Sequence, residues 1–309
     1  MASLPEFEYK RPKDLEEFLF LLSQYGDEAA ILAGGTDFIP RLKMGLKQPK
    51  VVIDIKGISG LSYVHYEAEV IRIGALTRIY ELHDNPTIRR HYPALYEAAM
   101  STASENIRAR GTIGGNILQD TRCMYYNQFK QWRTSFKPCF KSSGDRCNAV
   151  NGGNRCFAVY CGDLAPALIS LGASVCLLSI DAERVVPLES IFVGDGRSPF
   201  SLRRGEVLKD VIIPAPETVG GYEKLRIRSS VDYPIVSVAL SMDRTERGRL
   251  VVGAVAPQPL AYEFSSYRRL SSLTEKAYED ATPVANMPFS PLYRKRMVRV
   301  LAQKLLGRI

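Results

Sequence analysis

About forty residues, numbers 121–160, show neither helical nor strand periodicity and contain four of the six cysteines of this 309-residue chain. A connection of that length without regular structure is uncommon in a compact domain, and is usually functional or ordered by a bound group. The four cysteines are Cys123, Cys139, Cys147 and Cys156, separated by 15, 7 and 8 residues. No C-x-x-C pair occurs among them, so the spacing matches neither zinc ribbons nor the usual ferredoxin sequences. We call residues 121–160 the cysteine segment.

The net charge of +8 is concentrated in the cysteine segment. The charged residues between Cys123 and Cys156 are Lys130, Arg133, Lys137, Lys141, Asp145, Arg146 and Arg155. Such cations can offset the negative charge of a metal–thiolate group and offer a docking face to an acidic partner. The alternative interpretation of these charges is that the segment is an ordinary solvated loop. The basic residues are not interleaved with aromatics in a recognisable binding motif, so no nucleic acid is expected as a partner.

The N-terminal residues do not resemble a signal peptide, because acidic side chains interrupt every apolar run there. No stretch approaches the roughly 18 consecutive apolar residues that a membrane span needs. We therefore expect a cytoplasmic protein that does not contact a membrane. Thiols stay reduced in that compartment, which favours metal binding or redox chemistry over disulfides.

Apolar patterns predict two units, residues 1–215 and 216–309, with the first divided at residue 57. In the first unit a helix is predicted from Leu15 to Gly26, strands are predicted at 29–32 and 50–55, and Thr77 is predicted to be a helix N-cap. One long helix is predicted over residues 87–105.

Beyond the cysteine segment, the sequence predicts a helix and a strand over residues 163–180, a hairpin partner at 184–188, and strands at 207–214 and 221–228. The second unit is predicted to contain two antiparallel strands and a basic C-terminal helix with Val298, Leu301 and Leu305 facing inward.

Two glycine-rich stretches, AGGTD at 33–37 and GTIGGN at 111–116, are candidate anion-binding loops. Adjacent glycines permit positive φ and let backbone N–H groups converge on an anion. Each stretch alone is more typical of an ordinary turn, but two of them, each with a threonine, suit a diphosphate. Neither fits the Rossmann or P-loop pattern.

Four motifs in order, ILAGGTDF, RGTIGGN, GDLAPAL and YEKLRIR, resemble the flavin-binding medium subunits of the molybdenum hydroxylase (xanthine dehydrogenase) family over nearly the whole chain. The resemblance implies an α+β fold with a two-subdomain FAD-binding domain of the vanillyl-alcohol-oxidase (PCMH) type, followed by a smaller α+β domain. One departure is visible, since the family commonly has Arg-Asn where this chain has Arg108-Ala109.

The family implies an FAD whose diphosphate lies against both glycine loops, a hydroxyl-binding Asp163, Leu208 near the isoalloxazine and Lys224 beside the ring. The other implied FAD residues are Ile31, Leu32, Ala33, Gly34, Gly35, Thr36, Asp37, Phe38, Thr102, Thr112, Ile113, Gly114, Gly115 and Asn116. From the residues alone, Asp163 also suits a plain helix N-cap, and Lys224 also suits a solvated strand face.

Most family members connect GGN to DLAPA by a short loop, so the cysteine segment is an insertion. It resembles the insertion of the β subunits of 4-hydroxybenzoyl-CoA reductases, which holds a [4Fe–4S] cluster; a different insertion occurs in a bacterial aldehyde oxidoreductase of the family. The implied ligands are Cys123, Cys139, Cys147 and Cys156, with Cys161 as a bystander or a substitute for one of them and Cys176 in the core. The aromatic residues expected to shield the cluster are Tyr125, Tyr126, Phe129, Trp132, Phe136 and Phe140. A structural zinc and free buried thiols remain alternatives.

The resemblance implies an electron-transfer subunit of an oxidoreductase. Its expected partners are a molybdenum-cofactor large subunit and a [2Fe–2S] small subunit in a dimer of heterotrimers, with ferredoxin as donor for reductive dehydroxylation of 4-hydroxybenzoyl-CoA to benzoyl-CoA. An aldehyde or purine hydroxylase of the same family is the alternative, and a zinc-stabilised nucleotide-binding module is the non-redox alternative. No residue of this chain is expected to be catalytic.

Overall fold

The computed structural model describes residues 4–67, 69–214 and 217–309, which form three β-sheets flanked by helices. The first sheet is parallel, in the order β1-β3-β2. Its strands and helices are β1 (Glu8–Lys10), α1 (Leu15–Tyr25), β2 (Ala29–Leu32), α2 (Phe38–Lys43) and β3 (Val51–Asp54). The predicted first helix and the two predicted strands are confirmed. Parallel strands need a crossover, and α1 supplies it between β1 and β2 while it buries Phe18 and Leu22 against the sheet.

The second sheet is antiparallel, in the order β4-β5-β8-β6-β7. Its strands are β4 (Val64–Tyr66), β5 (Val70–Gly74), β6 (Ser174–Leu178), β7 (Glu183–Pro187) and β8 (Val207–Pro214). The helices between β5 and β6 are α3 (Ile79–Asp84), α4 (Pro86–His91), α5 (Pro93–Ser101), α6 (Glu105–Arg108), α7 (Ile113–Ile117), α8 (Lys130–Arg133) and α9 (Leu164–Ser170). The predicted helix and hairpin after the cysteine segment are confirmed.

The single long helix predicted over residues 87–105 is wrong. The chain forms α4, α5 and α6 instead, because Pro93 lacks an N–H group and its ring excludes a continuous helix. Pro93 is the first residue of α5, where that missing donor costs nothing. The predicted N-cap at Thr77 is also wrong, since Arg78 precedes α3 and the Thr77 hydroxyl bonds the backbone of Tyr63.

The third sheet is antiparallel, in the order β12-β11-β10-β9. Its elements are β9 (Val219–Leu225), β10 (Val236–Met242), β11 (Gly248–Gly253), β12 (Leu260–Phe264), α10 (Leu270–Asp280) and α11 (Pro291–Leu306). Val298, Leu301 and Leu305 of α11 are buried, as predicted. Four short 3₁₀ helices complete the structure, at Gly26–Glu28, Phe140–Ser142, Leu188–Ile191 and Tyr267–Arg269.

The second and third sheets share a core, because Tyr222, Ala239 and Val251 of the third sheet belong to the largest buried cluster, with α5 and α9 between the sheets. The α+β architecture is thereby confirmed. Among the described residues, no helix combines the length and the apolar character that crossing a membrane would require.

Candidate functional site

A cleft of 480 Å³ runs between the first and second sheets and is closed on one side by residues 231–233, which follow β9. This volume is typical of a small-molecule or cofactor site. Of the predicted FAD residues, only Leu32, Ile113 and Lys224 do not line it. Those that do are Ile31, Ala33, Gly34, Gly35, Thr36, Asp37, Phe38, Thr102, Thr112, Gly114, Gly115, Asn116, Asp163 and Leu208.

The first glycine loop offers free backbone donors to the cleft. In the described part of the chain, none of the five backbone N–H groups of residues 34–38 donates to a protein acceptor. Gly34 is required there because a Cβ would lie 2.0 Å from the carbonyl oxygen of Arg110, and Gly35 has a φ of +74°. A run of unbonded N–H groups around such a turn is an anion-binding arrangement.

The second glycine loop differs, because most of its N–H groups are already bonded. Ile113 donates to Thr77, Gly114 to Ala75 and Gly115 to the Thr112 hydroxyl, at 2.9, 2.9 and 3.1 Å. A Cβ on Gly114 would lie 2.9 Å from the Ala75 oxygen, so this glycine permits close packing of α7 on the strand end. The two loops therefore form the cleft together, but free donors come mainly from the first.

Asp163 and Lys224 form a buried ion pair beside the cleft. Lys224 Nζ and the Tyr222 hydroxyl donate to Asp163 Oδ1 at 2.9 and 2.8 Å, and the side chains of Asp163 and Lys224 are 5% and 3% exposed. Asp163 does stand at the N-cap position of α9, but its side chain makes no capping bond, and the alternative of a solvated Lys224 is wrong because this side chain is buried. The pair fixes the carboxylate at the cleft wall.

Two cleft residues that the sequence did not indicate carry unsatisfied donors. Arg41 is 2% exposed and its Nε and Nη1 atoms have no hydrogen-bond partner, and the same holds for Nε2 of Gln119, which is 8% exposed. Buried donors are rarely left unpaired unless a ligand satisfies them. Together with the free N–H groups of the first loop, these donors fit an anionic, polar cofactor such as FAD.

Tyr233 is a third cleft residue that the sequence did not indicate. Its hydroxyl donates to Asp37 at 3.0 Å, and the Arg122 guanidinium lies 3.7 Å from the centre of its ring. The hydrogen bond joins the β9–β10 connection to the first glycine loop. Its two residues are 196 positions apart in the sequence, so no local pattern can show the contact.

All four cysteines predicted as ligands line one small cavity next to the cleft. Burial, together with smaller contributions from the charges of Cys156, Cys147 and Cys139, raises the pKa of Cys123 to about 12, so the four thiols act on one another. Cys161 lies outside this cavity, packed against Val159 and Ala254, and Cys176 is a fully buried core residue of β6 as predicted. A metal bound here would displace protons from the thiols.

The cavity is not a preformed site for one ion. Among the described residues, no group of three or more His, Cys, Asp or Glu side chains is arranged to hold a metal ion. Thiolates on a single zinc lie within about 4.6 Å of each other, since each Zn–S bond is about 2.3 Å. The cavity volume is 20 Å³, the space of about one or two waters, so the thiol side chains would rotate outward to admit a larger group.

The six aromatic residues of the cysteine segment divide into two sets. Tyr125, Tyr126 and Phe140 line the cavity and shield it as expected. Phe129, Trp132 and Phe136 are instead 55%, 39% and 38% exposed, and the rings of Phe136 and Trp132 contact each other at a tilt of 43° with centres 4.7 Å apart. These three rings are exposed apolar side chains on and beside α8 and do not line the cavity.

A network of buried and partly buried charges lies between the cleft and the cysteine cavity. Asp120, a cleft residue, accepts a hydrogen bond from Lys141 Nζ at 2.6 Å and is paired with Arg41. Lys141 lines the cysteine cavity, and its charge lowers the pKa of Cys156 against the larger effect of burial, which raises it. The carboxylate thus belongs to one site and its cationic partner to the other.

Residues 5–216 match the family described as the FAD binding domain in molybdopterin dehydrogenase. The chain is similar to the aldehyde oxidoreductase FAD-binding subunit PaoB of Escherichia coli (strain K12), with 32% identity over 299 residues, covering 89% of this chain and 91% of that protein. It is also similar to the nicotinate dehydrogenase FAD-subunit of Eubacterium barkeri, with 28% identity over 98% of this chain and 95% of that protein.

A solved structure shows the same fold over 99% of this chain and 98% of its own. It is a carbon monoxide dehydrogenase from Hydrogenophaga pseudoflava that lacks the Mo-pyranopterin moiety of the molybdenum cofactor, with a TM-score of 0.79 and 25% sequence identity.

Proposed function

This chain belongs to the family of FAD-binding domains of molybdopterin dehydrogenases, and from that premise we propose that it is an electron-transfer subunit carrying FAD in the cleft and a [4Fe–4S] cluster on Cys123, Cys139, Cys147 and Cys156. One observation carries the proposal. The four thiols converge on a single cavity, and that cavity shares the Asp120–Lys141 ion pair with the wall of the cleft.

In the cleft, different groups of the chain bind different parts of FAD. The free N–H groups of residues 34–38 and the Arg41 guanidinium bind the diphosphate, Asp163 accepts hydrogen bonds from cofactor hydroxyls, and Leu208 packs on the ring system. When bound, FAD supplies the ability to exchange both single electrons and electron pairs. The protein's contribution is position, exclusion of water and local charge.

In the cavity, a cluster fits the donors better than zinc does. Four thiols without a competing carboxylate favour a soft metal group. They share a cavity, yet no three of them are arranged around one ion, and a cubane holds its four thiolates farther apart than a single zinc does. The rings of Tyr125, Tyr126 and Phe140 keep water away, which tunes the potential of such a group.

The proposed partners are a molybdenum-cofactor large subunit, a [2Fe–2S] small subunit and, for electrons, ferredoxin, with the complex a dimer of heterotrimers. The exposed rings of Phe129, Trp132 and Phe136 and the exposed Lys130 and Lys137 support an acidic redox protein as the electron partner. Steering by surface charge is screened by salt. We therefore expect the second-order rate of electron transfer from ferredoxin to fall steeply with ionic strength; a flat dependence would exclude this docking face.

The substrate reacts on the partner subunit, and two candidates are retained. Reductive dehydroxylation of 4-hydroxybenzoyl-CoA is supported by the cysteine spacing of the insertion, whereas oxidation of an aldehyde is supported by the 32% identity to PaoB. The whole complex, assayed with 4-hydroxybenzoyl-CoA plus reduced ferredoxin and separately with an aromatic aldehyde plus an oxidising dye, distinguishes them, since turnover of only one is expected.

The central test is the cofactor content of the complex purified without oxygen. We expect about one FAD per chain, and four irons and four sulfides per chain beyond those of the [2Fe–2S] subunit, with a flavin absorption band and a broad iron–sulfur shoulder. Cys139→Ser should remove these four irons and leave FAD and the iron of the small subunit bound. Cys176→Ala is the matched control, because it deletes a thiol outside the cavity and should keep both cofactors.

Stoichiometric zinc in a colourless protein would overturn the proposal in favour of the non-redox nucleotide-binding module. Flavin without iron in the wild-type chain would leave the FAD role and remove the cluster. Joint loss of flavin and iron in Cys139→Ser would show that the cysteine segment is also part of the flavin site.

A further inference from the structure

Lys141 is the one cation among the residues that line the cysteine cavity whose side chain is both buried and fixed by ion pairing. Its side chain is 6% exposed, against 49% for Arg146, the other cation lining the cavity. Lys141 Nζ donates to Asp120 at 2.6 Å and to the backbone oxygen of Thr121 at 3.1 Å, and it lies 5.4 Å from the ring centre of Tyr126. The ammonium group therefore has a defined position.

Its surroundings show that the charge is not cancelled locally. Asp120 also pairs with Arg41, and Arg41 and Arg122 both approach Asp37, at 4.0 and 3.2 Å. This network holds three cations and two carboxylates, so one positive charge is left over between the cleft and the cavity. Burying an extra cation costs free energy unless a further anion compensates it.

On the cleft side, Arg41 faces the FAD diphosphate of the proposed function, and on the cavity side the anion that Lys141 faces is the thiolate-bound cluster. Four thiolates give such a cluster a net negative charge, which becomes more negative when the cluster accepts an electron. A fixed cation nearby stabilises the reduced form more than the oxidised form. The effect is strong at a buried site and weak at the surface, where water and salt screen the charge.

We propose that Lys141 is a positioning residue of the second redox centre: its ammonium group, held by Asp120, compensates the cluster charge and raises the reduction potential of the cluster. This inference rests on the proposed function. It adds to that function the side chain that sets the reduction potential of the cluster. It also gives the Asp120–Lys141 pair a role in both sites, since Asp120 lines the flavin cleft.

The test is a redox titration of the cluster, followed by electron paramagnetic resonance, in the purified complex. Lys141→Met should keep iron, sulfide and FAD at wild-type levels and shift the midpoint potential of the cluster to a more negative value. Lys141→Arg keeps the charge and should titrate close to wild type. Lys137→Met is the matched control, because it removes an exposed lysine of the same segment and should leave the potential unchanged.

A fully loaded Lys141→Met complex with the wild-type potential would overturn the inference and leave the proposed function intact, whereas absence of iron and sulfide from the wild-type chain would overturn the proposed function itself. If Lys141→Met does not assemble a cluster, Asp120→Asn is the second test of the inference. It removes the carboxylate that opposes Lys141 and should shift the midpoint potential of the cluster to a more positive value. An unchanged potential in Asp120→Asn, or loss of the cluster in both variants, would show that the pair is only structural.

Discussion

Asp163 shows what a single buried charge does at the cleft. Its carboxylate is held by Lys224 and Tyr222, and neither charged side chain of the pair is more than 5% exposed. Removing one partner of a buried pair leaves the other uncompensated, which costs about 3–5 kcal/mol. Asp163→Asn should therefore lower the free energy of unfolding by about 3 kcal/mol and reduce FAD per chain. Urea unfolding and flavin absorbance measure the two effects.

The double variant Asp163→Asn with Lys224→Met separates stability from cofactor binding. Since it removes both charges, it should recover much of the lost stability. FAD should stay low, because the single neutral oxygen of Asn accepts more weakly from the cofactor hydroxyls than the charged carboxylate does. Full FAD content in Asp163→Asn would show that this carboxylate does not contact the cofactor.

Residue roles could be predicted from the sequence only where a motif placed them. The motifs indicated Asp163 and Lys224 as site residues, but their pairing spans 61 residues and the local patterns suggested a cap and a solvated strand instead. Gln119 and Arg41 belong to no pattern, since their significance is an unsatisfied donor that exists only after folding.

At the scale of elements, the first glycine loop is the part of the cleft most sensitive to added volume. A Cβ on Gly34 would lie 2.0 Å from the Arg110 oxygen, so Gly34→Ala must displace one of the two chain segments. We expect loss of most bound FAD, measured as flavin absorbance per chain. Gly60→Ala is the control: φ is +85° and nothing lies within 4 Å, so it should cost about 1 kcal/mol of stability and keep the flavin.

Glu206 directly precedes β8 and joins it to β7, because its carboxylate accepts hydrogen bonds from Arg184 of β7 at 2.7 and 2.9 Å. The bond from Arg184 lowers the pKa of Glu206 below 4.5. A carboxyl with a lowered folded pKa adds stability that is present above its unfolded pKa and is lost as pH falls through the folded pKa. Urea unfolding should therefore show stability falling below pH 4.5, with a smaller fall in Glu206→Gln; equal falls would contradict this role.

Elements with a strong local signal were predictable, and those set by one residue were not. The apolar faces of α1 and α11 were read correctly because each helix buries one side. The antiparallel strands β10 and β11 were read correctly because each is a run of mostly apolar residues, and most of each strand is buried. The long helix failed because the apolar pattern continues across Pro93, where backbone chemistry overrides it.

For the whole molecule, the sequence motifs identified the family, but the arrangement of the two candidate sites needed the structure. The four thiols come from positions up to 33 residues apart, and a spacing without close pairs does not say that they meet. Their convergence depends on contacts with distant segments, such as the one between Lys141 and Asp120.

The C-terminal unit also holds the cysteine segment, through Asn286. This fully buried residue lies between α10 and α11; its Nδ2 donates to the Phe157 oxygen at 2.6 Å and its backbone oxygen accepts from the Met124 N–H at 2.8 Å, so it ties both ends of the segment to the α10–α11 loop. Asn286→Ala would leave the Phe157 oxygen unpaired, at a cost of about 1–3 kcal/mol. We expect faster tryptic cleavage within residues 121–160 and faster loss of iron in air.

Asn85→Ala provides the comparison, because Asn85 caps α4 far along the chain from the segment, through bonds to Thr87 and Ile88. Its loss should cost about 1 kcal/mol of overall stability. If general destabilisation were the cause of cleavage, both variants would expose the cysteine segment to trypsin in proportion to their stability loss. Selective cleavage in Asn286→Ala alone would show that the contact with the α10–α11 loop, and not global stability, keeps the second redox site closed.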